Sequence, residues 1–357
     1  MLAGRPMLIS LSDHVPCRAT MSKQRSSTAT VTDVAQLAGV SVATVSRILN
    51  GAAQVTADKR AAVEEAIHKL QFRPNLSARS LRSGSTQTIG ILTQEFESPY
   101  FIAGTKGVES GLEGSGYTPL VVPGHWNPQE ELDRARLLMA RRVDAIVILG
   151  GTLSDAQLLD MARQQPIAIT GRQLQGPQLC AFHADQVAGG LLATRHLIEL
   201  GHRAIAHIAG PADHPDAIER KEGFLAAHRE ANLSVDPRLI VPGDYMEQGG
   251  EQAAEQLLAQ GVPFSAIFCA NDLTLWGARL ALHRHGVRVP EDCSLVGFDD
   301  IPASRYMTPP VTSVRQPIHQ MGRLAAEALL GCLRGEPMGA PQMLPLELVV
   351  RGTTAQI

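Results

Sequence analysis

The apolar positions change period near residue 88, and the change divides the chain. Between Thr30 and Phe72 they recur every three or four residues, the spacing of one helix face. This predicts three helices, over 32–39, 42–49 and 57–70. Thr56 is the expected N-cap of the third, with Val63, Ile67 and Leu70 along its inner face. Beyond 88, short β-branched runs take over: TIGILT (88–93), TPLVV (118–122), DAIVIL (144–149), PIAIT (166–170), AIAHIA (204–209), SAIFCA (265–270) and SLVGF (294–298). Helix-length stretches near 100–114, 129–141, 187–200, 216–231, 249–260 and 273–286 separate them. Such alternation predicts an α/β body of two doubly wound parallel-sheet lobes, with a ligand crevice at the carboxyl ends of the strands. Residues 73–87, RPNLSARSLRSGSTQ, read as a linker with one helical turn between Ser77 and Arg82. Residues 1–29 follow neither period and read as a disordered leader. Met21, before the basic run SKQR, is the expected start of translation.

The stretch VTDVAQLAGVSVATVSRILNG, residues 31–51, packs two helical runs around one glycine. A helix-turn-helix needs a small residue where its helices cross, a turn residue that tolerates positive φ, and apolar residues that lock the second helix. Ala35, Gly39 and the set Val34, Leu37, Val40, Val45 and Ile48 meet those needs, with Ser41 as N-cap and Gly51 as the stop. The second helix would enter a major groove by its N-terminal end. Val42 and Ala43 suit thymine methyl groups; Thr44, Ser46 and Asn50 suit phosphates or base edges; Arg47 suits bidentate contact with guanine.

Charge sharpens the division. The formal net charge is −3, yet residues 21–86 carry nine Lys/Arg against four Asp/Glu, and residues 87–357 carry 21 against 30. A basic head on an acidic body implies that only the head meets a polyanion. At 357 residues the chain exceeds one compact core. No apolar run is long enough to span a bilayer, and the first residues lack a secretory apolar region, so a cytoplasmic protein with no membrane partner is expected. Five scattered cysteines form no CxxC pair, which argues against a zinc ribbon or a disulfide framework.

The head, the helix at 57–70 and RPNLSARSLRSGSTQTIGIL resemble the lactose/galactose repressor (LacI/GalR) family, and SVATVSR is similar to its galactose-repressor branch. The resemblance continues through GHRAIAHIAGP, RKEGF, IFCANDLTLWGARLAL, VRVPEDCSLVGFDDIPASRYMTPPVTSVRQP and MGRLAAEALL. It implies a helix-turn-helix head at 30–72, a hinge at 73–87, and a periplasmic-binding-protein-like effector and dimerisation domain at 88–357. It also implies that hinge helices from two subunits wedge leucines into the minor groove at a central CpG step, matched here by Leu81, with Asn75 and Ala78 facing the groove. Thr32 and Thr56 complete the expected DNA-facing set.

In the body the resemblance places the effector pocket at the loop TQEFESPYF, making Phe96, Ser98 and Phe101 candidates, and at Arg220, Tyr245, Asn271, Asp299 and Gln316. Asp185 matches a family aspartate that serves either the pocket or the hinge between lobes. Aromatic faces that stack on sugar rings, with charged and amide groups for hydroxyl pairs, suit a polyhydroxyl ligand. His183 lies outside the family pattern, and Trp126 reads as surface or packing. There is no dinucleotide fingerprint, P-loop, GxSxG or HExxH, and no metal or cofactor beyond the effector is expected. The expectation is therefore a repressor, not an enzyme, released from a palindromic operator by a sugar or glycoside. The alternatives are a purine co-repressor that tightens binding, and a sugar-binding protein without DNA function. No leucine heptads follow the last strand, so a homodimer rather than a tetramer is expected.

Overall fold

The computed structural model describes residues 29–49, 55–73 and 84–357. It divides into two compact units, Met1–Arg79 and Ser80–Ile357. The first holds α1 (Val31–Ala38), α2 (Val42–Leu49) and α3 (Ala57–Leu70). A capping box starts α1: Thr30 Oγ1 accepts from the Asp33 amide at 3.3 Å, and Asp33 Oδ2 accepts from the Thr30 amide at 2.7 Å. Gly39 ends it at φ +63°, its amide donating to the Ala35 and Gln36 carbonyls. A Cβ would strain that left-handed turn. Ser41 then caps α2, its Oγ accepting from the Thr44 amide at 3.2 Å. Val34, Ala35, Val45, Ile48, Val63, Ala66 and Phe72 form the core.

Details of the head differ from the periodicity. Leu37, expected on the packing face, is 50% exposed. The inward face of α1 centres on Val34, Ala35 and Ala38, and Leu37 falls roughly 100° from that centre. On α3 the fully buried positions are Val63 and Ala66, while Ile67 and Leu70 are half-buried. Thr56 occupies the N-cap position of α3 without a side-chain capping bond.

The second unit contains two six-stranded sheets. Lobe 1 is built on β1 (Thr88–Thr93), β2 (Thr118–Pro123), β3 (Ala145–Leu149), β4 (Ile167–Thr170), β5 (Leu179–His183) and β11 (Gln342–Met343), in the order β11-β5-β4-β3-β1-β2. Lobe 2 is built on β6 (Ile205–Ile208), β7 (Ile240–Val241), β8 (Ala266–Cys269), β9 (Ser294–Asp299), β10 (Thr312–Arg315) and β12 (Glu347–Val349), in the order β12-β10-β9-β8-β6-β7. Every pairing is parallel except that of β12 with β10. In each sheet the winding reverses between the first and third strands, which opens a crevice at their carboxyl ends.

Helices cover both faces: α4 (Pro99–Leu112), α5 (Pro128–Ala140) and α6 (Asp155–Ala162) on lobe 1; α7 (Gln186–Glu199), α8 (Pro215–Glu230), α9 (Glu247–Ala259) and α10 (Asp272–Arg284) on lobe 2; and α11 (Ile318–Leu333), which returns to lobe 1. The chain thus crosses between lobes three times, after β5, after β10 and between β11 and β12. Burial on both sheet faces explains the near-continuous apolar runs of β1 and β3. It also explains why β10, TSVR, escaped the sequence pattern: Thr312, Ser313 and Val314 are all buried, but two are polar. Strands β7, β11 and β12 are too short to show a period. Helix α11 lies so close to α4 that a Cβ at Gly107 would overlap the His319 carbonyl oxygen.

Candidate nucleic-acid interface and ligand cleft

Helix α2 turns Val45 and Ile48 into the head's core and leaves its other face open. Val42 is 45% exposed, Ala43 and Arg47 are exposed, and Thr44 and Ser46 are half-buried beside them. Arg47 stands at the C-terminal end of that row. The Thr44 hydroxyl shares a 2.9 Å hydrogen bond with Ser41 Oγ, so the N-terminal turn is held in place. Thr32 and Thr56 are exposed at the starts of α1 and α3. Asn50, Asn75, Ala78 and Leu81 lie outside the described residues, as does the linker turn between 77 and 82.

In the body, the expected effector residues meet at the carboxyl ends of the lobe 2 strands. Arg220, on α8, is 3% exposed. Its Nε donates to Gln186 Oε1 at 2.9 Å, and one terminal nitrogen donates to the Ala270 carbonyl at 2.6 Å. The other lies 3.7 Å from Asp216 and 3.9 Å from Asp299. The guanidinium stacks 3.9 Å from the Phe298 ring centroid, which satisfies the apolar side of a planar cation. Gln316 Nε2 donates to Asp299 Oδ1 at 2.7 Å, and Gln186 Nε2 donates to Gln316 Oε1 at 2.8 Å. Asn271 caps α10 through the Thr274 amide, and its Nδ2 donates to the Tyr245 carbonyl, each at 2.9 Å.

The electrostatics follow from this crowding. Burial pushes the Asp299 carboxyl up to about 6, with Arg220 and the Gln316 bond opposing and Asp216 reinforcing it. Burial likewise lifts Asp272, at the first residue of α10, to about 7. That carboxylate accepts from Ser313 Oγ (2.6 Å), Ser304 Oγ (2.7 Å) and the Ile301 amide (2.9 Å), and so anchors the loop that follows Asp299. Two half-buried carboxylates at the cleft, Asp216 and Asp299, face one buried guanidinium.

Lobe 1 contributes aromatic surface. Phe101 packs against Tyr100 (centroids 5.2 Å) and Trp126 (5.7 Å); Trp126 meets His214 of lobe 2 at 4.5 Å, and His214 meets Tyr245 at 5.2 Å. Trp126, expected at the surface or in packing, is therefore the central member of a row that crosses the cleft. Trp126, Tyr245 and Asp299 also hold positive φ, at +55°, +69° and +98°. Strained non-glycine residues gather at functional sites. Burial raises the Tyr245 hydroxyl, which has no hydrogen-bond partner within the protein, and raises Tyr100 well above the ordinary tyrosine value.

Other candidates stand apart. Phe96 is 54% exposed in the loop after β1, and Ser98 precedes α4 without a side-chain capping bond. Asp185 is exposed at the first crossing between lobes, where its Oδ1 accepts from the Ala188 amide at 2.8 Å and caps α7. Tyr100, Gln186, His214 and Asp216 were not singled out from the sequence, and only Tyr100, adjoining Phe101, carried a local signal. A concavity of about 590 Å³ lies elsewhere, between α8 and β7. Among the described residues no group of three or more His, Cys, Asp or Glu could hold a metal, and no helix is long and apolar enough to cross a membrane.

Residues 30–75 match the model of bacterial regulatory proteins of the lacI family, and residues 194–354 match that of a periplasmic binding protein-like domain. The chain is 37% identical over 311 residues to the HTH-type transcriptional regulator GalR of Escherichia coli K12, covering 87% of this chain and 91% of that protein. It is 34% identical over 337 residues to the HTH-type transcriptional repressor PurR of Haemophilus influenzae, covering 92% and 99%. Among solved structures, the lac repressor dimer bound to operator and the anti-inducer ONPF superposes with a TM-score of 0.81 at 29% identity, covering 92% and 99%. A complex of the transcriptional regulator CelR with cellobiose gives 0.67 at 34% identity, covering 91% and 99%.

Proposed function

This chain belongs to the lacI family of bacterial DNA-binding transcriptional regulators, and on that premise we propose that it is a homodimeric, cytoplasmic repressor released from a palindromic operator by a neutral sugar or glycoside. The observation that carries the ligand reading is the Asp299–Gln316–Gln186–Arg220 network beside the rings of Phe101, Trp126 and Tyr245. Carboxylate, amide and guanidinium groups take hydroxyl pairs, and the rings take the apolar face of a pyranose. Asn271 joins them from the start of α10. The cellobiose-bound relative supports the same ligand class, and no further cofactor is part of this reading.

On the DNA side, Val42, Ala43, Thr44, Ser46 and Arg47 read one half-site, with Arg47 on a guanine. Two heads related by a two-fold axis require a palindrome, and the operator-bound lac repressor dimer is the supporting precedent. Ligand closure of the lobes then changes the spacing of the two linkers and so the fit to both half-sites.

A purine-type co-repressor is the second reading, favoured by the PurR relative and by a row of rings that also suits a flat base. Anisotropy of a labelled palindromic duplex with a central CpG step, titrated with full-length protein and then with sugars and purines, separates the two. Release by a sugar supports induction, tightening by a purine supports co-repression, and no binding to this or to selected DNA overturns the operator assignment.

A further inference from the structure

We propose that Trp126 and His214 form a latch across the cleft, which holds the two lobes closed on each other and yields when the imidazole gains a proton. The proposal concerns regulation of the same cleft and rests on its reading as the ligand site. Trp126 belongs to lobe 1, in the loop between β2 and α5; His214 belongs to lobe 2, immediately before α8. Their rings meet edge-to-face at 4.5 Å and 71°, a favourable aromatic geometry. Phe101 backs the indole and Tyr245 backs the imidazole, so neither ring can swing away without disturbing its own lobe.

Backbone conformation supports the assignment independently. His125 and Trp126 are consecutive non-glycine residues in the left-handed region, at φ +54° and +55°. Such a pair persists only where the surroundings over-determine it. Here the Trp126 amide donates to Oε1 of the buried Gln94 at 2.9 Å, and Asn127 caps α5 by accepting from the Gln129 and Glu130 amides. The strain aims the indole across the cleft rather than along lobe 1.

His214 supplies the release. Both ring nitrogens are buried without a hydrogen-bond partner in the protein. A neutral ring tolerates this environment, whereas an imidazolium brings two N–H donors and a charge that the closed cleft does not solvate. Burial holds the group below the ordinary histidine value; Arg220 acts in the same direction, and Asp216 and Asp213 oppose it. Further ionisable groups near the pair are Tyr245, against the other side of the ring, Tyr100 behind Phe101, and the His125–Glu130 pair on the Trp126 segment. Opening the cleft gives the protonated ring access to water.

The test needs neither DNA nor effector, so its failure is separate from failure of the operator reading. Trp276→Phe in the full-length protein leaves Trp126 as the sole indole, since the chain has two tryptophans. Acrylamide quenching is followed from pH 8 to pH 5.5, with circular dichroism confirming that the protein stays folded. Loss of one aromatic pair changes the open-to-closed ratio about 2- to 10-fold, so quenching should rise as pH falls. The added change His214→Phe keeps an aromatic partner and removes the titration, and should stay shielded at both pH values. Quenching that ignores pH in the single-tryptophan protein, or rises equally with His214→Phe, overturns the latch.

Discussion

Arg220→Met isolates the buried cation at the centre of the cleft. The change nearly preserves length and bulk but deletes the hydrogen bonds to Gln186 (2.9 Å) and to the Ala270 carbonyl (2.6 Å). It also removes the charge 3.7 Å from Asp216 and 3.9 Å from Asp299. Deleting one partner of a buried ion pair costs about 3–5 kcal/mol. The wide separations favour the lower end of that range, and Gln186 keeps its bond to Gln316, so the expected loss at pH 8 is about 3 kcal/mol. The loss should depend on pH with a definite sign. With Arg220 present Asp299 titrates at about 6; without the cation its carboxyl titrates higher. Below pH 6 the carboxyl is protonated in both proteins, and the help Arg220 gives it vanishes. Above pH 6 only the parent carries that help. Urea unfolding followed by tryptophan fluorescence at both pH values should therefore show a penalty about 1–2 kcal/mol smaller at pH 5.5 than at pH 8. A penalty below about 1 kcal/mol at pH 8, or one equal at both pH values, would refute the charge network as drawn.

Arg47→Ala should leave the head folded, because the side chain is exposed, and weaken operator binding by about 1–3 kcal/mol in the anisotropy titration, with guanine discrimination relaxed at one position. Gly107→Ala forces a methyl into the His319 carbonyl of α11 and should lower stability by about 1–3 kcal/mol, read as a shifted urea midpoint; an unchanged midpoint would contradict the α4–α11 contact. His207 is stacked between Phe224 (5.1 Å) and Phe268 (4.8 Å), and burial pulls it down to about 4. Unfolded histidine titrates near about 6.5, so the folded form binds its proton later. Stability should fall as pH drops from that value toward 4, and His207→Leu should flatten this part of the profile.

The sequence carried the family and the secondary-structure rhythm because both are local. Three helices in the head, seven strands of the body and six of the helices between them follow from apolar spacing over a few residues, whereas α6 is not among the expected stretches. Motif resemblance pointed to Arg220, Tyr245, Asn271, Asp299 and Gln316, and the structure brings these five to one end of lobe 2. It reached Phe96, which stays half-exposed away from the row, and passed over Trp126, Gln186 and His214.

Those omissions share a physical cause. Trp126 and His214 lie 88 positions apart and meet only because two lobes face each other across three chain crossings. No periodicity encodes that meeting. Gln186 opens a helix like any other polar residue, and it becomes a relay only when Arg220 and Gln316 arrive from distant segments. Likewise the return of α11 to lobe 1 is decided by glycine-lined contact with α4. Local spacing and capping determined which elements form and which family they build. The closed cleft, its shifted carboxylates and its cross-lobe rings were decided by tertiary packing, because burial and proximity are properties of the folded chain rather than of any short segment of it.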